Sequence, residues 1–274
     1  MTNTENPNPL RAFSFGGGWQ SMAALVLAAQ GRIDFDTFLF ANVGGDSENP
    51  DTITYVRNYA QPFAAAHGLK LIELERHLRG GQTETIRQRI INSNGSRQTI
   101  PVFLSNGKPG TRACTYDFKI LVTGKWLKTN GATPHNPATV AMGISLDEIG
   151  RANAGKAMPY ERLTYPLLDL KIRRADCPRI IRTAGLPVPP KSSCDFCPMR
   201  KIPEWQAMRE KNPARFERAC QVEETINHHL TTKGKRPVYL TRTGRPLRHL
   251  FKGGDQLPLF NTDNEGCDNG WCTT

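Results

Sequence analysis

A glycine-rich turn between an apolar strand and a helix constrains this chain more than any other feature. Residues 11–21 read Arg-Ala-Phe-Ser-Phe-Gly-Gly-Gly-Trp-Gln-Ser, and an Ala- and Leu-rich segment follows. Glycines allow positive φ and a close approach of ligand to backbone, and the first N–H groups of a helix attract anions. The turn therefore predicts a phosphate site, although a turn that only packs has the same composition.

Short apolar segments alternate with helical ones through the first 150 residues. Strands are predicted at 36–41, 69–74 and 138–144, and Pro50 begins a predicted helix that runs to about His67. This alternation predicts an α/β fold, a Rossmann-like parallel sheet with helices on both faces. Ligands of such sheets bind beyond the carboxyl ends of the strands.

Polar loops follow several of these strands. Asp46 and Glu48 come after the second strand, where they could contact a ribose or Mg²⁺ or simply be solvated. A polar insertion spans 80–110, with a predicted helix at 83–91. Ser145 and Glu148 have the spacing of a capping box and predict a helix start.

Composition and charge favour an anionic partner. Lys and Arg total 36 against 25 Asp and Glu, a net charge of +11 over 274 residues, which attracts nucleotides or nucleic acid. The N-terminus does not resemble a signal peptide and no apolar run is long enough to span a bilayer, so we expect a cytoplasmic protein without a membrane partner.

The chain divides by composition into four parts. We expect a disordered tail at 1–10, a nucleotide-binding α/β domain at 11–175, a smaller helical, basic, Cys-containing region at 176–250 and a flexible tail at 251–274. Helices are predicted at 202–211 and 213–230. The basic stretch 231–248 is suited to nucleic acid, or is a solvated surface.

Four of the seven cysteines form a candidate metal site. Cys194 and Cys197 have the C-x-x-C spacing of a metal turn, and Cys114 and Cys177 are candidates for two further ligands. Zinc and a [4Fe–4S] cluster both accept four thiolates, so spacing does not distinguish them. Structural or redox-active thiols are the alternative.

The glycine turn and the motifs after it resemble one protein family. Residues 16–21 are similar to the PP-loop of ATP pyrophosphatases, Ser-Gly-Gly-x-Asp-Ser, with Gly16 at the first serine and Gln20 at the aspartate. Cys114 with Lys119, the segment 143–151, the segment 165–168 and the segment 191–198 follow in the order of the phosphoadenosine phosphosulfate (PAPS) reductase-like family. The resemblance covers about residues 11 to 200.

This resemblance implies an adenine nucleotide, ATP or adenylyl sulfate or PAPS, together with Mg²⁺. The implied nucleotide-binding residues are Ser14, Gly16, Gly17, Gly18, Gln20, Ser21, Asn42, Asp46, Glu48 and Gly143. Ser21 would donate to phosphate, and Lys119, Arg112 and Arg151 would clamp it. In iron–sulfur members, cysteines near Cys114, Cys194 and Cys197 bind a [4Fe–4S] cluster, and Cys177 would complete the set.

Three functions fit these features. The first is ATP-dependent adenylation and sulfur transfer to a nucleic acid, with a sulfur donor protein, as in DNA phosphorothioation or tRNA thiolation. The second is reduction of a sulfonucleotide to sulfite, in which Cys267 would be the nucleophile of a mobile tail, here within Glu-Gly-Cys. The third is a non-catalytic nucleotide or nucleic-acid binding module, because Gln20 replaces the loop aspartate.

Overall fold

A five-stranded, all-parallel sheet forms the centre of the protein. The computed structural model describes residues 9–93, 97–154 and 157–251. The strand order is β3-β2-β1-β4-β5. The strands are β1 Arg11–Ser14, β2 Thr37–Asn42, β3 Lys70–Glu75, β4 Ala138–Met142 and β5 Glu161–Thr164. The predicted α/β class with a parallel sheet is confirmed.

Helices connect the strands and form the C-terminal part of the described chain. They are α1 Trp19–Ala29, α2 Pro50–Tyr55, α3 Gln61–Ala66, α4 Ile86–Asn92, α5 Ala113–Thr115, α6 Leu121–Thr129, α7 Ile149–Ala154, α8 Pro166–Asp169, α9 Cys177–Thr183, α10 Ile202–Lys211 and α11 Pro213–Thr231. Among the described residues, no helix has the length and apolar character needed to cross a membrane.

Two of the helical connections contain π-helical turns. Val56–Ala60 joins α2 to α3, and Tyr116–Ile120 joins α5 to α6. The predicted helix from Pro50 to about His67 is therefore one continuous helical segment with an extra residue in its middle turn.

Side chains alternate between the two faces of the sheet, and each face has its own core. Phe13 and Phe38 stack with ring centroids 5.0 Å apart in the core that α1 and α9 cover. Ala12 and Leu39 point to the opposite face, where Leu127 of α6 packs. Burying one such phenylalanine contributes about 2–3 kcal/mol to the stability of the fold. Helices cover both faces of the sheet, as predicted.

A third core joins the polar insertion to the C-terminal helices. Ile86 and Ile90 of α4 pack with Trp205 and Phe216, whose helices α10 and α11 match the predicted segments to within one residue. The packing of α9 on α1 crosses the boundary drawn at residue 175. The division into domains thus stays a prediction, and both predicted tails lie almost wholly outside the described residues.

Successive strands are added to the sheet on both sides of β1. The chain proceeds through β2 and β3 on one side and through β4 and β5 on the other. In such sheets a crevice opens beyond the carboxyl ends of the two strands between which the strand order reverses. The residues that follow β1 and β4 therefore meet there, which makes this edge the first place to look for a ligand.

Candidate nucleotide site and thiol cluster

The glycine turn after β1 is held in a conformation that only glycine accommodates well. Gly17 has φ +74°, and a Cβ there would lie 2.8 Å from Cγ2 of Thr52. Gly18 is the N-cap of α1. Its N–H donates to Ser21 Oγ at 3.1 Å, and that hydroxyl donates to the Gly18 carbonyl at 3.0 Å. The predicted phosphate donor Ser21 therefore has its hydroxyl engaged in shaping the turn.

The turn places the amino-terminal end of an eleven-residue helix at the crevice. The first N–H groups of a helix lack intrahelical acceptors and carry a partial positive charge. Gly143, just after β4, lies against this end, because a Cβ on it would be 3.4 Å from the Ser21 nitrogen. The residues predicted from β1 and β4 are thus neighbours, and backbone amides are available for an anion.

Gln20 is completely buried and connects α1 to the segment after β4. Its Nε2 donates to Ser145 Oγ and to Glu148 Oε2, each at 2.8 Å. Within the described residues, its Oε1 is buried without a hydrogen-bond partner. An amide at this position therefore binds a carboxylate that an aspartate would repel.

Glu148 lies at the centre of a charged network that the sequence reasoning missed. Arg151 Nη1 is 2.9 Å from its Oε2, and Arg174 Nη1 is 3.6 Å from its Oε1. The predicted clamp Arg151 is thus paired with a buried carboxylate. The predicted helix start is confirmed, because a helical turn begins after Ser145. The capping box itself is not formed, because Ser145 makes no side-chain cap and Glu148 accepts from Gln20 instead.

The polar loop after β2 is tied to the protein at each predicted position. Asn42 donates to Glu73 at 2.7 Å and accepts from the Gly44 amide at 2.9 Å. Asp46 accepts from Ser47 at 2.8 Å and from Thr85 at 3.0 Å. Asp46 is exposed, so its carboxylate still reaches solvent.

Cys114, Cys194 and Cys197, which we call the thiol cluster, lie in one electrostatic neighbourhood. Cys194 interacts with both other thiols, and Cys114 interacts with Cys197. The C-x-x-C segment folds into a turn in which the Cys197 amide donates to the Cys194 carbonyl at 3.1 Å. Burial raises the pKa of Cys114 to about 11 and the pKa of Cys194 well above its usual value.

Cys177 lies apart from the thiol cluster. It begins α9, is fully buried in the core shared with α1, and its thiol donates to the Arg173 carbonyl at 3.6 Å. Its electrostatic neighbours are Arg174, Asp147 and Asp176. The structure therefore does not bring the four predicted ligands together. The spacing of cysteines along a sequence gives no information about which hydrophobic core each one joins.

The described part of the chain contains no preformed metal centre. No three of its His, Cys, Asp and Glu side chains are arranged to hold a metal ion. Three thiols within electrostatic reach nevertheless supply the soft donors that zinc and iron–sulfur clusters use. Glu48, which is 2% exposed, is a buried acid that interacts electrostatically with Cys194.

Lys119 connects the thiol cluster to the glycine turn. It interacts electrostatically with Cys114, Cys194 and Glu48. It also lines a small cavity with Ser14 and Gly16. That cavity, about 10 Å³, holds no more than one water and is too small for a nucleotide.

The remaining predicted features are Arg112, the basic stretch 231–248 and Cys267. Arg112 approaches Met199 Sδ at 3.3 Å, beside the C-x-x-C turn. In the basic stretch, Arg248 pairs with Glu217 and Glu224, whereas Lys235 and Arg236 are exposed. Cys267, the predicted tail nucleophile, lies outside the described residues.

Comparisons with known proteins add a structural similarity. No family model matches the chain, and no curated protein does. A solved structure of the U34-tRNA thiolase NcsA from Methanococcus maripaludis with its [4Fe-4S] cluster is 12% identical, with a TM-score of 0.42 over 83% of this chain and 75% of that one. This TM-score is too low to assign a function to the chain.

Proposed function

We propose that this protein is an adenine-nucleotide-binding enzyme of the PP-loop type that uses ATP to adenylate a nucleic acid and then transfers sulfur to it. The observation that carries the proposal is the position of Lys119, which borders the glycine turn and interacts with two thiols of the thiol cluster. This position supports a phosphate site that lies next to a site for sulfur chemistry.

The first step would be attack of an acceptor oxygen on the α-phosphorus of ATP. The bond to pyrophosphate breaks, pyrophosphate leaves, and AMP is joined to the acceptor. The free amides at the start of α1 and the Lys119 ammonium would stabilise the negative charge that develops on the phosphates. In the second step hydrosulfide from the sulfur donor attacks the acceptor atom that carries the activated oxygen, carbon in a tRNA base or phosphorus in DNA; AMP leaves with the bonding electrons and the proton of the hydrosulfide passes to solvent.

Magnesium fits this site as a companion of the nucleotide. Protein sites often bind Mg²⁺ through one or two carboxylates together with substrate phosphates. Glu148 is already paired with two arginines, and Gln20 offers no carboxylate at the loop position. Of the two acids that the sequence suggested, Glu48 is 2% exposed, whereas Asp46 is exposed and accessible for such a contact.

A metal group would be held by Cys114, Cys194 and Cys197. Their donor type fits zinc or a [4Fe–4S] cluster, and the latter would supply iron that binds sulfur. Within this chain, the thiols would hold the group and Lys119 would balance part of its negative charge, beside the apolar core that contains Phe118 and Phe196.

Release of labelled pyrophosphate tests the proposal. The full chain, purified anaerobically, should release pyrophosphate from ATP only when tRNA or DNA is present. Lys119→Gln should lower this rate roughly 100-fold, as removal of a single charge-stabilising group does. Lys128→Gln is the matched control, because Lys128, in the last turn of α6, is exposed and lies over the Tyr160 ring.

Two results would reject the proposal. Absence of adenine-nucleotide binding would exclude both enzymatic functions and leave a nucleic-acid binding module. Formation of sulfite from adenylyl sulfate or PAPS without nucleic acid would establish sulfonucleotide reduction instead, and Cys267→Ser would then abolish it.

A further inference from the structure

Two loops from distant parts of the chain lie side by side. Phe103 and Tyr239 form an antiparallel bridge, in which the two amide-to-carbonyl bonds measure 2.7 and 2.9 Å. After this bridge both segments turn, and the turns stay in contact, because a Cβ on Gly107 would lie 3.6 Å from the Arg242 carbonyl oxygen. We call these turns the two-loop surface, residues 103–110 and 240–247.

Side chains of α11 hold the second of these loops in place. Glu223 is 2% exposed, and its Oε2 accepts from the Leu240 amide at 2.6 Å while its Oε1 accepts from the Leu247 amide at 2.8 Å. One helical turn further on, Asn227 accepts from the Val238 amide at 2.8 Å and donates to the Val238 carbonyl at 2.9 Å. One buried carboxylate therefore fixes both ends of the loop to the helix.

The two-loop surface carries positive charge and no acid. Segments 103–110 and 231–248 together contain seven Lys and Arg and no Asp or Glu. Lys108 and Arg242 are exposed and form no ion pair with the described residues. The Arg242 guanidinium lies over the Phe103 ring, 5.5 Å from its centroid, which holds it in place and leaves its N–H groups accessible. Like charges gathered in this way attract an anion.

The same surface is connected to the thiol cluster by a short segment. The Gly110 amide donates to the Val102 carbonyl at 2.8 Å, and the Cys114 amide donates to the Thr99 carbonyl at 2.7 Å. Cys114 comes six residues after Lys108. An extended chain spans at most about 3.6 Å per residue, so the two Cα atoms lie within roughly 22 Å of each other. A nucleic acid bound on the two-loop surface would therefore extend to the neighbourhood of the thiols.

We propose that the two-loop surface binds the phosphate backbone of the nucleic-acid substrate, with Lys108 and Arg242 as phosphate contacts and Glu223 as the positioning residue for the loop that carries Arg242. The inference rests on the proposed function for the identity of the substrate and adds where it docks. Phe103, the aromatic residue of the two loops, is 2% exposed under Arg242, so these loops offer no ring for stacking on bases. Phosphate contacts carry no sequence information. Binding is thus salt-dependent and indifferent to base sequence.

Equilibrium binding of the full-length protein to a tRNA transcript and to two DNA duplexes of different sequence tests this assignment. It is measured without ATP over a range of potassium chloride concentrations. The double variant Lys108→Ala/Arg242→Ala should reduce the slope of log K against log [salt] by about 1.8 and weaken binding at about 0.1 M salt at least tenfold, because two phosphate contacts are lost.

The matched control for the double variant is Arg32→Ala/Lys125→Ala. It removes the same charge from two exposed residues, one just after α1 and one on α6, that form no ion pair with the described residues. This control should keep the wild-type slope. Equal losses in the two double variants would show that net charge alone sets the affinity, and the assignment would be wrong.

Glu223→Gln tests the positioning role. A glutamine side chain has one oxygen, so one of the two loop amides loses its acceptor, and the slope should fall by about one counterion. Adding Lys108→Ala/Arg242→Ala should weaken binding little further, because both changes act on the same contacts, whereas a general folding defect would add to the loss. Glu161→Gln changes another buried carboxylate that accepts from a backbone amide, that of Met158 at 3.0 Å, and should match wild type. Wild-type binding by Glu223→Gln would refute the positioning role.

Pyrophosphate release from ATP, measured on the same preparations, separates this proposal from the proposed function. Wild type that binds nucleic acid through the two-loop surface and releases no pyrophosphate rejects only the proposed function. Nucleic-acid-dependent release, together with unchanged binding by Lys108→Ala/Arg242→Ala, rejects only the two-loop surface. Wild type that binds no nucleic acid, or that prefers one duplex sequence to the other, rejects the two-loop surface whatever the release assay shows.

Discussion

Replacing Gln20 with leucine measures how strongly the glycine turn is coupled to the segment after β4. The change removes one hydrogen bond to a carboxylate, which contributes about 2 kcal/mol, and one to a hydroxyl, which contributes about 1 kcal/mol. It also removes Oε1, which is buried without a partner among the described residues and whose loss returns about 1 kcal/mol. We therefore expect Gln20→Leu to lower the free energy of unfolding by about 2 kcal/mol.

Thermal and urea unfolding give the measurement. A loss of about 2 kcal/mol corresponds to a fall in Tm of roughly 4–8 °C for a chain of this size. Gln206→Leu is the matched control, because Gln206 is exposed on α10 and bonds Glu210 at 3.0 Å. It should change stability by no more than about 0.5 kcal/mol. Equal effects of the two substitutions would show that the Gln20–Glu148 contact does not stabilise the fold.

Three further predictions concern the turn, a buried acid and the basic stretch. Gly17→Ala should cost about 2–3 kcal/mol and weaken nucleotide binding, whereas Gly31→Ala, at φ +69° in open space, should cost only about 1 kcal/mol in thermal unfolding. Burial raises the pKa of Glu161, so the stability that its protonated form contributes is lost as pH rises through that pKa. The free energy of unfolding of Glu161→Gln in urea should therefore match that of wild type near pH 4 and exceed it at pH 8. A difference that stays constant with pH would contradict this. Replacing Lys235 and Arg236 with alanine should reduce the salt dependence of nucleic-acid binding by about two counterions, whereas Arg248→Ala, already paired with Glu217 and Glu224, should change it less.

The sequence predicted the sheet because its strands are short, apolar and separated by helical segments. β5 was missed because Glu161–Thr164 pairs only with β4 at the edge of the sheet, and its polar residues resemble a loop. The helical segment from α5 to α6 was missed as well. Its apolar repeat is interrupted by a π-helical turn, which breaks the 3.6-residue period on which helix prediction depends.

The candidate site was predictable where the chemistry is local, and not where it depends on tertiary contacts. The glycine turn, Lys119 and the C-x-x-C pair are short motifs that can be recognised in the sequence, and their function stays a prediction. The roles of Ser145 and Glu148 depend on a glutamine more than 120 residues earlier in the chain. The separation of Cys177 from the thiol cluster likewise depends on which helix packs against which strand.

The π-helical turn at Tyr116–Ile120 sets the direction in which Lys119 points. Residues five apart in an α-helix differ by about 140° around the axis, whereas a π-helical turn brings them nearly into line. Cys114 and Lys119 are five apart, and they interact electrostatically. Deleting one residue from this turn would rotate the lysine away from the cysteine without changing either residue, so the length of this segment is as much a part of the site as its composition.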